Sequence, residues 1–543
     1  MFEECFGNGP FIFRINENGT GPQLLMQVCS ERGWKEYNPD NDSNWNVWWR
    51  STGFPVSHHK SLYGWQYINH VPKGSAICRK DNLVRYLRCM KKVYGSIYDF
   101  SPHGFNLPLE YTKLAAECSR GRSQSERDEH KFFEDKPVWI CKPVAQSQGR
   151  GIFLFRKLSE LNYDSNTVVQ RYIEKPLLVG GYKFDLRLYV CIPSYYPLTI
   201  YMYREGLARF GTDKFSLNDL RNPFRHLTNC SINKFGPGYT EMKDRVGSGC
   251  KWTLRQLRRY FRQAGILDWL LWQKITSLVI LTVLSNITQI PPTTNCFEFF
   301  GFDVLIDTSL RPWLLEVNLS PALSTDCDAD ILVKKPMLHD MFDLLGLPLY
   351  NTGLSVYDIY ATEVDENVRE EEIDPPKLSL KNTITVLNAA GRWKKKHKKM
   401  SALQSSRSNS GIRGKNTATN QKPFLNLPKV QVDGRTLTSP NHQVPGFRSV
   451  SEYKPWGNGR DWRFPTAREG RWVRIWPTAI DVLHKSADCN SSAHVKHMVT
   501  RVMKFTKSAK DLARKHPTAS ESQLTEFLQD EMQISGDIWI PPI

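Results

Sequence analysis

The chain has 543 residues, 40% of them hydrophobic and 12% aromatic, with a formal net charge of +18. That length exceeds one ordinary domain and predicts about two to four folding units with full-sized cores; the charge suits a polyanionic partner, whether nucleic acid, anionic membrane or an acidic protein surface, without choosing among them. The twelve cysteines stand singly with no C-x-x-C pair, which argues against a zinc ribbon or a tight redox motif and is expected of reduced thiols in a cytosolic protein.

Residues 1–44, rich in Gly, Asn and Pro, read as a partly ordered arm; their opening, MFEECFGNGPFIF, has acids where a secretory signal needs positive charge. From WNVWWRS at 45 to about 350 the sequence is dense and apolar, and short strands alternate with helical stretches such as DNLVRYLRCMKKVY. This pattern predicts an α/β or α+β catalytic core. The most membrane-like run, 266–287, is interrupted by Asp268, Gln273 and Lys274 and falls short of the roughly 18 to 20 apolar residues of a span, so a buried helix is expected. The tail, 351–543, passes from an acidic patch at 363–376 to GRWKKKHKKM at 391–400, then to Ser/Asn/Thr-rich sequence through about 445. So few apolar residues cannot offset chain entropy, and a disordered linker is expected there. Beyond it, 453–477 interleaves Trp with Arg and either contacts a partner or packs back on the core; residues near 478–532 read as helical.

Within the core, YKFDLRLYV at 182–190 alternates strictly. On a strand, Lys183, Asp185 and Arg187 share one face and Phe184, Leu186 and Leu188 the other. Upstream, WICKPVAQSQGRGIFLF sets Lys142 at a strand end before Gly149, Arg150 and Gly151; glycines let backbone N–H groups turn toward an anion that the cations neutralise, although a plain hairpin turn explains the stretch equally well. TVVQRYIEKP at 167–176 is an apolar strand whose free edge would suit an adenine ring. FFGFDVLID and WLLEVN form a hairpin that returns Asp303 toward Glu316 and Asn318. A loop of four or six residues aligns them on one face, whereas five residues require a bulge. Three oxygen ligands without His or Cys suit magnesium rather than zinc, and a cation offsets the cost of burying such acids.

In this order Lys142, the QGRGI loop, QRYI, K-x-D-x-R, HLTNCSINK at 226–234, and FGFD with E-V-N resemble the tubulin tyrosine ligase-like family. The resemblance runs from about Trp45 to Leu347 and implies an ATP-grasp fold, with an N-terminal domain at 45–140 and central and C-terminal lobes at 141–350. The WRST and NHVPKGSAICRKDNL stretches look more like the branches that add glutamate to tubulin than like the tyrosine ligase. Carried over, the resemblance implies that Lys142, Arg150, Gly151 and Ile152 hold ATP phosphates, and that Gln170, Arg171, Tyr172 and Ile173 frame the adenine. Lys183, Asp185, Thr228 and Asn229 complete the nucleotide site, Asp303, Glu316 and Asn318 bind Mg²⁺, Arg209, Ser231 and Lys251 receive free L-glutamate, and Arg187 neutralises an acyl-phosphate intermediate. Cys230 stands where the family usually has tyrosine, and Arg150 where it often has lysine. The implied partner is the acidic tubulin tail on microtubules, with no membrane and no nucleic acid, for a monomer in the cytoplasm or cytoskeleton, the cilium and basal body included. The alternatives are a sister ligase adding glycine or tyrosine, or a basic microtubule-binding protein without catalysis.

Overall fold

The computed structural model describes residues 10–120, 136–163, 166–236, 238–239, 250–349, 453–478 and 491–543. The acidic patch, the lysine cluster and the linker expected through 445 lie outside these residues.

FIFRI and the segments after it build a parallel sheet. Its first strand, β1 (Ile12–Ile15), lies between β2 (Lys35–Glu36) and β3 (Val47–Trp49), and β3 also pairs β4 (Tyr67–Ile68). Phe11, Phe13 and Ile15 alternate inward, and the helix Gln23–Glu31 buries Leu24, Leu25, Val28 and Cys29 in the same core. The stretch expected to be a partly ordered arm is therefore folded from residue 10. Its glycines and asparagines sit in the turns, and average composition hid a short strand and a nine-residue helix whose apolar face was legible only with partners such as Phe342 supplied from elsewhere.

A second, antiparallel sheet has the order β5–β8–β6–β7, from β5 (Gly104–Leu107), β6 (Trp139–Pro143), β7 (Phe153–Phe155) and β8 (Thr167–Arg171). Strand β8 is interior, since Gln170 pairs with Gly104 on one side and Ile140 on the other. The free edge expected at Thr167–Pro176 is absent; this segment reaches the neighbouring cleft from Arg171 on, where the strand ends.

The largest sheet runs β14–β13–β10–β11–β16–β15. Its members are β10 (Tyr182–Tyr195), β11 (Leu198–Lys214), β13 (Glu298–Ile306), β14 (Pro312–Asn318), β15 (Arg468–Glu469) and β16 (Trp472–Trp476). Short strands β9 (Leu178–Val179) and β12 (Lys251–Thr253) pair with β10 and β11. Phe184, Leu186, Leu188, Phe302 and Val304 share one core with Ile275, Leu278 and Leu281 of the helix Trp269–Leu284. Among the described residues Trp269–Gln289, this helix and the turn after it, is the one stretch long and apolar enough to cross a membrane, against the shortfall expected from Asp268, Gln273 and Lys274; it is nonetheless mostly buried, the buried helix expected there. A second layer, the helix Ser492–Lys515, covers it with Val495, Met498, Val499, Val502 and Phe505 at helical spacing.

The Trp/Arg segment packs back on the core. Strand β16 pairs antiparallel with β11, Trp472 is fully buried with its indole N–H donated to Met337 O, and Trp539 donates to Tyr203 O. A boundary drawn at residue 351 thus cuts through one sheet, because its last two strands come from beyond the segment that reads as a linker.

Candidate active site

The polar face of the large sheet forms the floor of a cleft of about 790 Å³, and the second sheet forms its roof. Alternation on β10 sends Lys183, Asp185 and Arg187 to this face. Register then sets Asp185 beside Arg209, Arg187 beside Asp303, Asp303 beside Glu316, and Arg209 beside Lys251. Five residues join β13 to β14, and the ladder carries an irregularity between Asp303 and Val304. This is the bulge that a five-residue loop requires to bring Asp303 opposite Glu316.

On the floor, charges are paired. Arg187 donates to Asp303 through Nε (2.5 Å) and Nη2 (3.0 Å), and Arg209 grips Asp185 at 2.8 and 2.6 Å while reaching Asp303 Oδ2 at 2.8 Å. Burial works against the Asp303 carboxylate, yet Arg187 and Arg209 hold it well below the usual carboxylate range. Lys251 Nζ lies 2.6 Å from Asp330 Oδ2 and 3.5 Å from Asp326; burial disfavours its charge, but Cys230 and Asp330 raise it above an ordinary lysine.

Asn318 Nδ2 lies 3.3 Å from Asp303 Oδ2 and 3.5 Å from Glu316 Oε1, and Lys80 Nζ is 3.8 Å from Glu316. Turning the Asn318 amide over would present its oxygen to the same two carboxylates. Among the described residues no three His, Cys, Asp or Glu side chains converge as a metal cage. The set is two carboxylates and an amide, which fits Mg²⁺ because that ion keeps positions for phosphate oxygen and water.

Toward the roof, charges lack such partners. Lys142, on β6, donates to the amide oxygen of Gln170 (2.9 Å), and Lys183 donates to Tyr172 Oη (2.8 Å) and His226 O (2.7 Å). Both ammonium groups are buried, and every one of those acceptors is neutral. Burial pushes Lys142 down to about 8, against the pull of Glu316, and Lys183 down to about 7, against Asp185. The adjoining loop has positive φ at Gln148, Gly149 and Gly151. At Gly149 a Cβ would run into Asn229 and Ile232, so glycine is what lets the loop close on the HLTNCSINK stretch, where Ser231 donates to Gln148 O (3.1 Å).

Gly149, Ile152, Arg171, Tyr172, Ile173, Thr228 and Asn229 line the cleft. Gln170 stands behind Lys142, while Arg150 and Gly151 are exposed beside the opening. Arg209 and Lys251 are register neighbours, both already paired with carboxylates; Arg209 lines the cleft, whereas Lys251 and Ser231 are not among its lining residues. Two residues escaped the sequence reading. Lys80 opens the helix Lys80–Tyr94 and donates to Gln146 O, and His226 begins the HLTN stretch, a position that signals it only in retrospect.

The model of the tubulin-tyrosine ligase family matches residues 57–352. The chain is similar to "Probable tubulin polyglutamylase TTLL2" of Homo sapiens, 46% identical over 67% of this chain and 60% of that protein. It is likewise 46% identical to the protein of that name from Mus musculus, over 62% of each chain, and 36% identical to "Tubulin polyglutamylase TTLL5" of Homo sapiens, over 60% of this chain and 25% of that protein. The matches thus span about three fifths of the first two relatives and a quarter of the third.

Proposed function

The chain belongs to the tubulin-tyrosine ligase family, whose model covers more than half of it, and from that premise we propose that it is an ATP- and Mg²⁺-dependent ligase. It joins free L-glutamate through an isopeptide bond to glutamate side chains of tubulin tails, acting as a single chain on the microtubule cytoskeleton. The relatives' names support this reading. The two sheets enclosing the cleft are, on this reading, the lobes of an ATP-grasp fold.

Lys142 and Lys183 neutralise the triphosphate, assisted by Arg150, Gly151 and Ile152 on the loop and by Thr228 and Asn229. Gln170, Arg171, Tyr172 and Ile173 frame the base, and Asp185 completes the site. Asp303, Glu316 and Asn318 hold Mg²⁺, which when bound neutralises phosphate oxygens. The acceptor carboxylate oxygen attacks the γ-phosphorus, the bond to ADP breaks, and an acyl phosphate forms. The amine of free glutamate, steered by Arg209, Ser231 and Lys251, then attacks the acyl carbon; phosphate leaves and the nitrogen loses a proton. Arg187 steadies the negative charge of the intermediate. The chain supplies position and fixed charge rather than a nucleophile of its own.

The observation that carries the proposal is the pair of buried ammonium groups with neutral partners lining one cleft with the carboxylates of Asp303 and Glu316, beside which the Asn318 amide lies. Its test is incorporation of labelled glutamate into microtubules with Mg-ATP, comparing wild type with Glu316→Gln and competing with unlabelled glutamate, glycine and tyrosine. Transfer that only glutamate suppresses, and that Glu316→Gln abolishes, is expected. Suppression by glycine or tyrosine instead would reassign the amino acid, and equal transfer by Glu316→Gln would remove the metal assignment.

A further inference from the structure

With Lys183 protonated, the form that a bound phosphate favours, the hydrogen bonds behind it run in one direction. An ammonium can only donate, so Tyr172 Oη accepts from Lys183 at 2.8 Å and must send its own hydrogen elsewhere. His226 Nδ1 lies 3.1 Å away. The other ring nitrogen, Nε2, is 2.8 Å from Asp219 O; a carbonyl only accepts, so Nε2 carries the hydrogen. Burial, with Lys183 and Arg225 nearby, disfavours the imidazolium and outweighs the Asp219 carbonyl and carboxylate. Nδ1 is therefore the bare acceptor. The donors run one way, from Lys183 through Tyr172 and His226 to the main chain. His226 O takes a second ammonium hydrogen at 2.7 Å, and the Tyr172 ring centroid lies 4.5 Å from Nζ. Two of three hydrogens are fixed, and the third is left to the cleft.

We infer that His226 and Tyr172 are positioning residues for Lys183: one imidazole tautomer orients one hydroxyl, which aims the ammonium at the phosphates of a bound nucleotide. The inference rests on the reading of the cleft as an ATP site. Neither residue needs to touch the reacting atoms. With His226 1% and Tyr172 6% exposed, water cannot readily substitute for a missing partner, so removing one link should be felt at Lys183 in full.

The test is calorimetric binding of a non-hydrolysable ATP analogue, AMP-PNP, with Mg²⁺, to the full chain. Tyr172→Phe keeps the ring and removes the hydroxyl; about tenfold to thirtyfold weaker binding is expected. Where glutamate transfer is measurable, KM for ATP should rise likewise, with kcat and KM for glutamate within about threefold. His226→Phe should match Tyr172→Phe, the double variant should be no worse than either, and His226→Asn, which returns an acceptor near the Nδ1 position, should recover most of the loss. In a Lys183→Met background Tyr172→Phe should cost nothing further, which decides the matter even if His226→Phe does not fold. Binding by Tyr172→Phe within twofold of wild type, or costs that add across the pairs, would overturn the relay. Absence of AMP-PNP binding by wild type would overturn both the relay and the ATP site. Binding without glutamate transfer would count against the proposed reaction alone, and the relay would still be decided by the variants.

Discussion

The cleft treats two sets of cations oppositely. On the floor, Arg187, Arg209 and Lys251 are saturated by Asp303, Asp185 and Asp330 at 2.5 to 2.8 Å; toward the roof, Lys142 and Lys183 have only an amide, a phenol and a carbonyl. A saturated buried pair fixes shape, whereas a buried ammonium with neutral partners is costly until an anion arrives. On the proposed function, the floor cations act through pairs already formed, whereas Lys142 and Lys183 gain charged hydrogen-bond partners only from the nucleotide.

Asp303→Ala would break this comparison most severely, because it removes a proposed metal ligand and strips two arginines of a shared carboxylate. Glutamate transfer should fall by about three orders of magnitude, and denaturant unfolding should show a loss of about 3–5 kcal/mol. Lys183→Met should sharpen the contrast: Mg-nucleotide binding weakens about 30- to 100-fold, yet the ligand-free chain gains about 1–3 kcal/mol, since a buried charge is gone. Arg209→Met, on the next strand but paired with carboxylates, should lose stability in the same assay.

A third expected outcome concerns pH. Lys183 and Lys142 sit near 7 and 8 when folded, below the ordinary lysine value of about 10.4 in the unfolded chain. Between those values the unfolded state binds more protons, so the two lysines make the ligand-free protein more stable as pH rises from about 7 to 10. Phosphates hold both charged, so nucleotide binding should take up protons and weaken above pH 7, by at most about tenfold per unit for each group. Thermal melts with and without Mg-ADP from pH 7 to 9 check both signs. The smallest effect is expected of Arg150→Ala: the side chain is exposed, and nucleotide binding should weaken by only about threefold or less.

Local pattern carried the floor of the site. Strict alternation placed Lys183, Asp185 and Arg187 together, and loop length called for the bulge that sets Asp303 beside Glu316. What escaped depends on partners distant in sequence. Thr167–Arg171 reads as a strand, but only the sheet reveals that it is interior; Trp472 reads as part of a basic segment, yet it completes a sheet begun nearly 300 residues earlier. His226 gains meaning only when Tyr172, Lys183 and Asp219 surround it.

The central claim, that the cleft holds two buried lysines in reserve to be charged by a nucleotide's phosphates, is tested most directly by calorimetric titration of Mg-ADP into the full chain at pH 8 in buffers of different ionisation enthalpy. One nucleotide bound per chain with net proton uptake, much of it lost in Lys183→Met, is the expected result. Binding without proton uptake, or no binding, would contradict it.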